Sequence, residues 1–97
     1  MVAYQFIEEM AHDYFHKAII IAKLDEPSMA TDNFAIAYGL YRMVENCDLM
    51  LLSVRWLRHL GLEDEELQKK LNYGTGLARR GIDIADAVNR IFGYGDN

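Results

Sequence analysis

Residues 33–60, NFAIAYGLYRMVENCDLMLLSVRWLRHL, decide the fold. The stretch has no proline, and its apolar residues recur at spacings of three and four. That pattern predicts one long helix from Asn33 to Leu60, stopped by Gly61. One apolar stripe reads Ile36, Leu40, Met43, Cys47, Met50 and Val54; the other reads Phe34, Tyr38, Tyr41, Leu52 and Trp56. Two apolar faces mark a central helix, covered on both sides. A short chain has few elements with which to cover both, so the aromatic stripe is expected to meet a second subunit. Glu45 and Asp48 fall on that aromatic stripe, one helical turn apart. A carboxylate among aromatics is costly unless a cation pairs with it.

Outward from this helix, the N-terminal segment reads as a first long helix from Ala3 to Leu24. Ala3, Ile7, Met10, Tyr14, Ala18 and Ile21 form its apolar stripe, with Glu8, Glu9, His12, Asp13 and His16 on the polar side. Asp25 to Asn33 reads as a loop holding the single proline, Pro27, with Thr31, Asp32 or Asn33 as the next helix cap. On the other side, Asp64 opens a third helix with Glu65 and Glu66 in its first turn, where acidic groups suit the helix dipole. Gly74, Gly76 and Gly81 are expected to end it near Asn72 and separate it from a last helix, Ile82 to Phe92. Residues 93–97 read as a frayed tail. The expectation is one all-α domain over residues 1–97: a dimeric four-helix bundle with long first and second helices and a glycine-interrupted third and fourth.

Composition narrows the function classes. At 97 residues the chain has room for one core. A net charge of −5, with no basic run longer than Lys69-Lys70 or Arg79-Arg80, argues against duplex nucleic acid and anionic membrane as partners. The lone Cys47 reads as a buried reduced thiol, so no disulfide scaffold forms within one chain. No segment looks like a signal peptide or a membrane span, which points to the cytoplasm.

Three groups of residues carry candidate chemistry. Glu45-x-x-Asp48 on one helix could hold Mg²⁺ or Mn²⁺ and leave coordination sites for water and phosphate; the alternative is pairing with Arg42, Arg55 or His59. On the first helix, Glu9, His12, Asp13 and His16 stand at spacings of three and four that could ligate a metal, or form a solvated polar face. Lys69, Lys70, Asn72, Tyr73, Arg79 and Arg80 cluster around the glycines, where basic groups on flexible backbone could receive phosphates.

The order of these parts resembles the MazG-like all-α nucleotide pyrophosphohydrolases. The matching features are Glu8-Glu9 on a first helix and Glu45-x-x-Asp48 before Leu49-Met50-Leu51-Leu52 on a second. His59-Leu60-Gly61-Leu62, an acidic helix start, Lys69-Lys70-Leu71-Asn72-Tyr73 and Arg79-Arg80-Gly81 follow. The resemblance implies a helical bundle that forms a homodimer or higher homo-oligomer. It implies hydrolysis of nucleoside triphosphates to monophosphate and pyrophosphate with Mg²⁺ or Mn²⁺. Glu9, Glu45 and Asp48 would be metal ligands, joined by His12 where the family carries a second Glu. Glu8 or Asp13 would be a further ligand or the base, and Lys70, Asn72 and Arg79 would hold the nucleotide's phosphates. A second expectation from the residues themselves is a non-catalytic helical oligomer that receives a protein partner on its aromatic helix face.

Overall fold

The computed structural model describes residues 2–93, which form four α-helices and no strand. They are α1 (Tyr4–Lys23), α2 (Pro27–Met43), α3 (Cys47–His59) and α4 (Asp64–Phe92). The all-α, four-helix expectation holds, and α1 lies where its stripe placed it. The breaks between the other helices fall elsewhere, and the tail assigned to 93–97 lies, from residue 94 on, outside the described residues.

α2 begins six residues ahead of Asn33, inside the segment read as a loop. Pro27 occupies its first turn, where the missing N–H is not needed and the ring presets the helical φ. All three expected caps, Thr31, Asp32 and Asn33, are instead helix-interior residues. The Thr31 hydroxyl donates to the Ser28 carbonyl at 2.8 Å, and Asn33 Nδ2 to the Met29 carbonyl at 2.8 Å.

The long second helix is broken at Val44, Glu45 and Asn46. Glu45 adopts a left-handed φ of 58°, its N–H bonds to the Arg42 carbonyl at 3.1 Å, and Asn46 N–H reaches back to the Tyr41 carbonyl at 2.9 Å. This reversed pair of bonds satisfies carbonyls that α2 would otherwise leave open. Asn46 then caps α3, its Oδ1 accepting from the Leu49 N–H at 3.2 Å. The same ending closes α1 at Asp25 (φ 66°) and α3 at Gly61 (φ 101°). One turn chemistry therefore makes all three corners.

The expected break around Gly74, Gly76 and Gly81 does not occur; α4 runs unbroken for 29 residues. Gly74 lies directly against the backbone of Ala35 in α2, and a Cβ at Gly39 would come within 2.8 Å of Thr75 Cα and 2.9 Å of Ala78 Cβ. These small residues let α2 and α4 pack almost backbone to backbone. The close contact offsets the helix cost of glycine, about 1 kcal/mol each.

α2 is the central helix, and the other three pack chiefly on it. Tyr41 meets His12 and Asn46 meets Glu8, so α1 runs antiparallel to α2. α3 folds back antiparallel after the Glu45 turn. Lys70 with Asp32, Gly74 with Ala35 and Ala78 with Gly39 show that α4 runs parallel to α2. Most of the aromatic stripe packs within the chain, while Leu52 at its edge stays exposed. Phe34 stacks on Trp56 with centroids 5.1 Å apart, Phe15 meets Phe34 edge-on at 5.4 Å, and Phe34 and Tyr41 are fully buried. Cys47, expected to be buried, is exposed at the start of α3 because the Asn46 cap turns it off the apolar stripe.

Candidate functional site

The inner edge of α1's polar side meets the C-terminal end of α2 and the turn after it. His12 Nδ1 lies 2.6 Å from the Tyr41 hydroxyl, and the rings meet edge-on. Burial, and then the negative charge of Glu8, push the Tyr41 hydroxyl up to about 12, so it stays protonated. Asn46 Nδ2 donates to Glu8 Oε2 at 3.4 Å. Glu8, His12, Tyr41 and Asn46 thus form one polar strip at the edge of the aromatic core. Neither Tyr41 nor Asn46 was singled out for a site from the sequence. Asn46, three residues before Leu49 and directly before an acidic helical turn, carried a readable cap signal.

The remaining carboxylates are not gathered there. Glu9 and Asp13 are exposed on the outer side of α1. Glu45 is exposed in the left-handed turn and Asp48 in the first turn of α3, so they no longer share a helix. Asp48 instead borders a shallow depression on the outer side of α3 with Leu51, Leu52, Arg55 and Arg58. Among the described residues, no three His, Cys, Asp or Glu side chains are placed together to hold one metal ion.

Lys69 and Lys70 lie at the other end of α2. Lys70 Nζ pairs with Asp32 Oδ1 at 2.6 Å and sits 5.3 Å from the centre of the Tyr73 ring. Together with Thr31, Leu60, Leu62 and Lys69, Lys70 and Tyr73 line an open cleft of about 650 Å³. Asn72 points to solvent and accepts from Gln68 Nε2 at 3.1 Å, and Arg79 is exposed two turns farther along α4. Asp32 and Tyr41 are nine residues apart on α2, which is roughly 14 Å along the axis. Lys70 and the residues expected to hold metal therefore lie at opposite ends of α2, whereas Arg79, next to the Ala78 that packs on Gly39, is level with the metal end.

The distal part of α4 presents a different surface. Among the described residues Ile82 is the last buried one; beyond it Ala85 still packs on the core, while Ile84, Val88, Ile91 and Phe92 are exposed at 64, 39, 74 and 64 %. Ile84, Val88 and Ile91 repeat at spacings of four and three along the side of α4 turned away from α2. This is the seam spacing of a helix that pairs with another helix. None of the described helices is long and apolar enough to cross a membrane.

Compared with family models, curated proteins and solved structures, the chain matches none of them.

Proposed function

We propose that this protein is a helical assembly module that acts by packing the distal half of α4 against another helix. The observation that supports it is the exposed seam Ile84, Val88 and Ile91, widened by Phe92. Scattered surface apolar residues are ordinary. Large apolar residues in register on one helical face, past the end of the core, form a patch of the kind that is covered in use. Most of the aromatic face expected to serve this purpose packs into the chain's own core, with Leu52 left at its edge. The pyrophosphohydrolase reading would need Glu9, Glu45, Asp48 and Lys70 to converge, whereas the assembly reading uses the surface as it stands.

A labelled amphipathic peptide with leucine at both seam positions of each heptad tests this reading by fluorescence anisotropy. The wild-type chain is expected to bind it, and Val88→Glu, folded by circular dichroism, is expected not to. Equal binding by both, or by neither, overturns the proposal. In parallel, pyrophosphate release from nucleoside triphosphates with Mg²⁺ or Mn²⁺, together with a metal-dependent rise in melting temperature, would favour the hydrolase reading instead.

A further inference from the structure

We infer that the outward face of α3 receives an acidic amphipathic helix of another protein. α3 packs chiefly on α2, through the buried Ser53 and Leu57, and its opposite side is uncovered. At about 100° per residue, Arg58, Leu51 and Arg55 fall within a sector of about 60° on that side, with Leu51 between the two arginines. Leu51 is 65 % exposed. Beside it Leu52, Arg55, Trp56 and His59 frame an open notch of about 320 Å³, room for one bulky apolar side chain set against Trp56. Both guanidiniums are exposed, and among the described residues neither has an acidic partner. Asp48, the one acid of α3, lies two turns before Arg55. The C-terminal half of the face is therefore positive, in a chain whose net charge is −5.

These features define the partner's chemistry. An uncharged helix laid on Leu51 would strip water from Arg55 and Arg58 and put nothing in its place. A helix with carboxylates flanking its apolar stripe replaces that water with charge-assisted, two-pronged hydrogen bonds. Its apolar residues cover Leu51 and enter the notch. Trp and Arg are also the side chains that most often carry binding energy between proteins. A nucleic acid or an anionic membrane spreads negative charge over a wider area and so meets the acidic remainder of the chain; one acidic helix is confined to the positive patch. This surface lies on a different helix from the α4 seam and does not depend on it.

The test uses the full chain carrying Val88→Glu, which silences the α4 seam and keeps the outcome separate from that of the assembly reading. Reducing conditions are used because Cys47 is exposed at the start of α3. Two labelled helical peptides share a leucine stripe and differ only in its flanks, glutamate in one and lysine in the other. Fluorescence anisotropy is expected to show binding of the glutamate peptide, weakening as salt is raised, and none of the lysine peptide. Adding Arg55→Glu and Arg58→Glu is expected to weaken the glutamate peptide about 100-fold and to create binding of the lysine peptide, a swap that loss of structure cannot produce. Both positions are exposed, so circular dichroism melts should match the parent. Arg79→Glu with Arg80→Glu, also exposed, makes the same change in net charge and is expected to alter neither peptide's binding. Equal binding of the two peptides by the parent, or binding of neither, would overturn the proposal. An effect of the Arg79 and Arg80 changes as large as that of Arg55 and Arg58 would overturn it too, by assigning the binding to overall charge. A single-stranded oligonucleotide or phosphatidylserine vesicles bound through Arg55 and Arg58 more tightly than the glutamate peptide would reassign the face to phosphate.

Discussion

Replacing Gly74 by alanine should unfold this protein at markedly lower temperature, although alanine is the better helix former. The added Cβ would fall inside the Ala35 carbonyl group and 2.5 Å from the Ala35 Cβ. The obstructing atoms are mostly backbone, so no rotamer change relieves the overlap; α2 and α4 must move apart along their contact. Overpacking of this kind costs about 3 kcal/mol. Helix propensity returns about 1 kcal/mol, leaving a net loss of about 2 kcal/mol. In a domain of this size that is a fall in melting temperature of about 8–16 °C. Gly76 is the internal control. It sits two residues away on the same helix, and a Cβ added there meets nothing within 4 Å, so Gly76→Ala should gain about 0.5–1 kcal/mol. Thermal and urea melts followed by circular dichroism at 222 nm would separate the two variants by about 3 kcal/mol. Adding Ala35→Gly should recover little, because the carbonyl stays in place. A Gly74→Ala protein as stable as Gly76→Ala would refute the backbone-to-backbone packing of α2 and α4, and with it the reason α4 is continuous.

Tyr41 should make stability fall in strong alkali. Its hydroxyl titrates near 10.0 when unfolded and near 12 when folded; between those values the unfolded chain has lost a proton that the folded chain keeps, so stability drops as pH rises, by about 2–3 kcal/mol. Urea melts of wild type and Tyr41→Phe at pH 9 and pH 12 should show that loss only in the wild type; parallel curves would contradict the enclosed hydroxyl. The Thr75 hydroxyl is buried between α2 and α4 without a hydrogen-bond partner, so Thr75→Val should raise stability by about 1 kcal/mol, and a loss of that size would reveal a partner. Glu45→Gly should stabilise the chain by about 1 kcal/mol by relieving a left-handed φ. The same urea melt turning out worse would assign Glu45 a contact of its own.

The sequence made the class and the first helix readable because they depend on apolar spacing, which α1 displays with little interruption. It misled at both ends of α2 for a common reason. By intrinsic propensity Pro27 and the α4 glycines read as breakers and Glu45 as a helix former, and each is governed by its place: a first turn, a contact with another helix, and a helix ending. Pro27 is harmless in a first turn. Glu45 and Asn46 look like mid-helix residues on a continuous stripe until the left-handed turn and the Asn46 cap supply an exit for the chain. Gly74 looks like a breaker until Ala35 is found against it. The candidate metal site inherited the first of these errors: Glu45 and Asp48 pointed the same way only if the helix continued between them. Once the chain turns at Glu45, the aromatic stripe closes on α1 and α3, the acids move to the surface, and the apolar face left over is the far end of α4. That face was visible in the sequence as Ile84, Val88, Ile91 and Phe92, but it could be assigned to a core or to a partner only after Ile82 was seen to be where the core ends. Because α4 runs parallel to α2, with Ala78 against Gly39, that face projects past the same end of α2 as the Glu45 turn: the break at one left-handed residue takes the acids off a shared helical face and leaves the apolar residues beside them as the surface with most to cover.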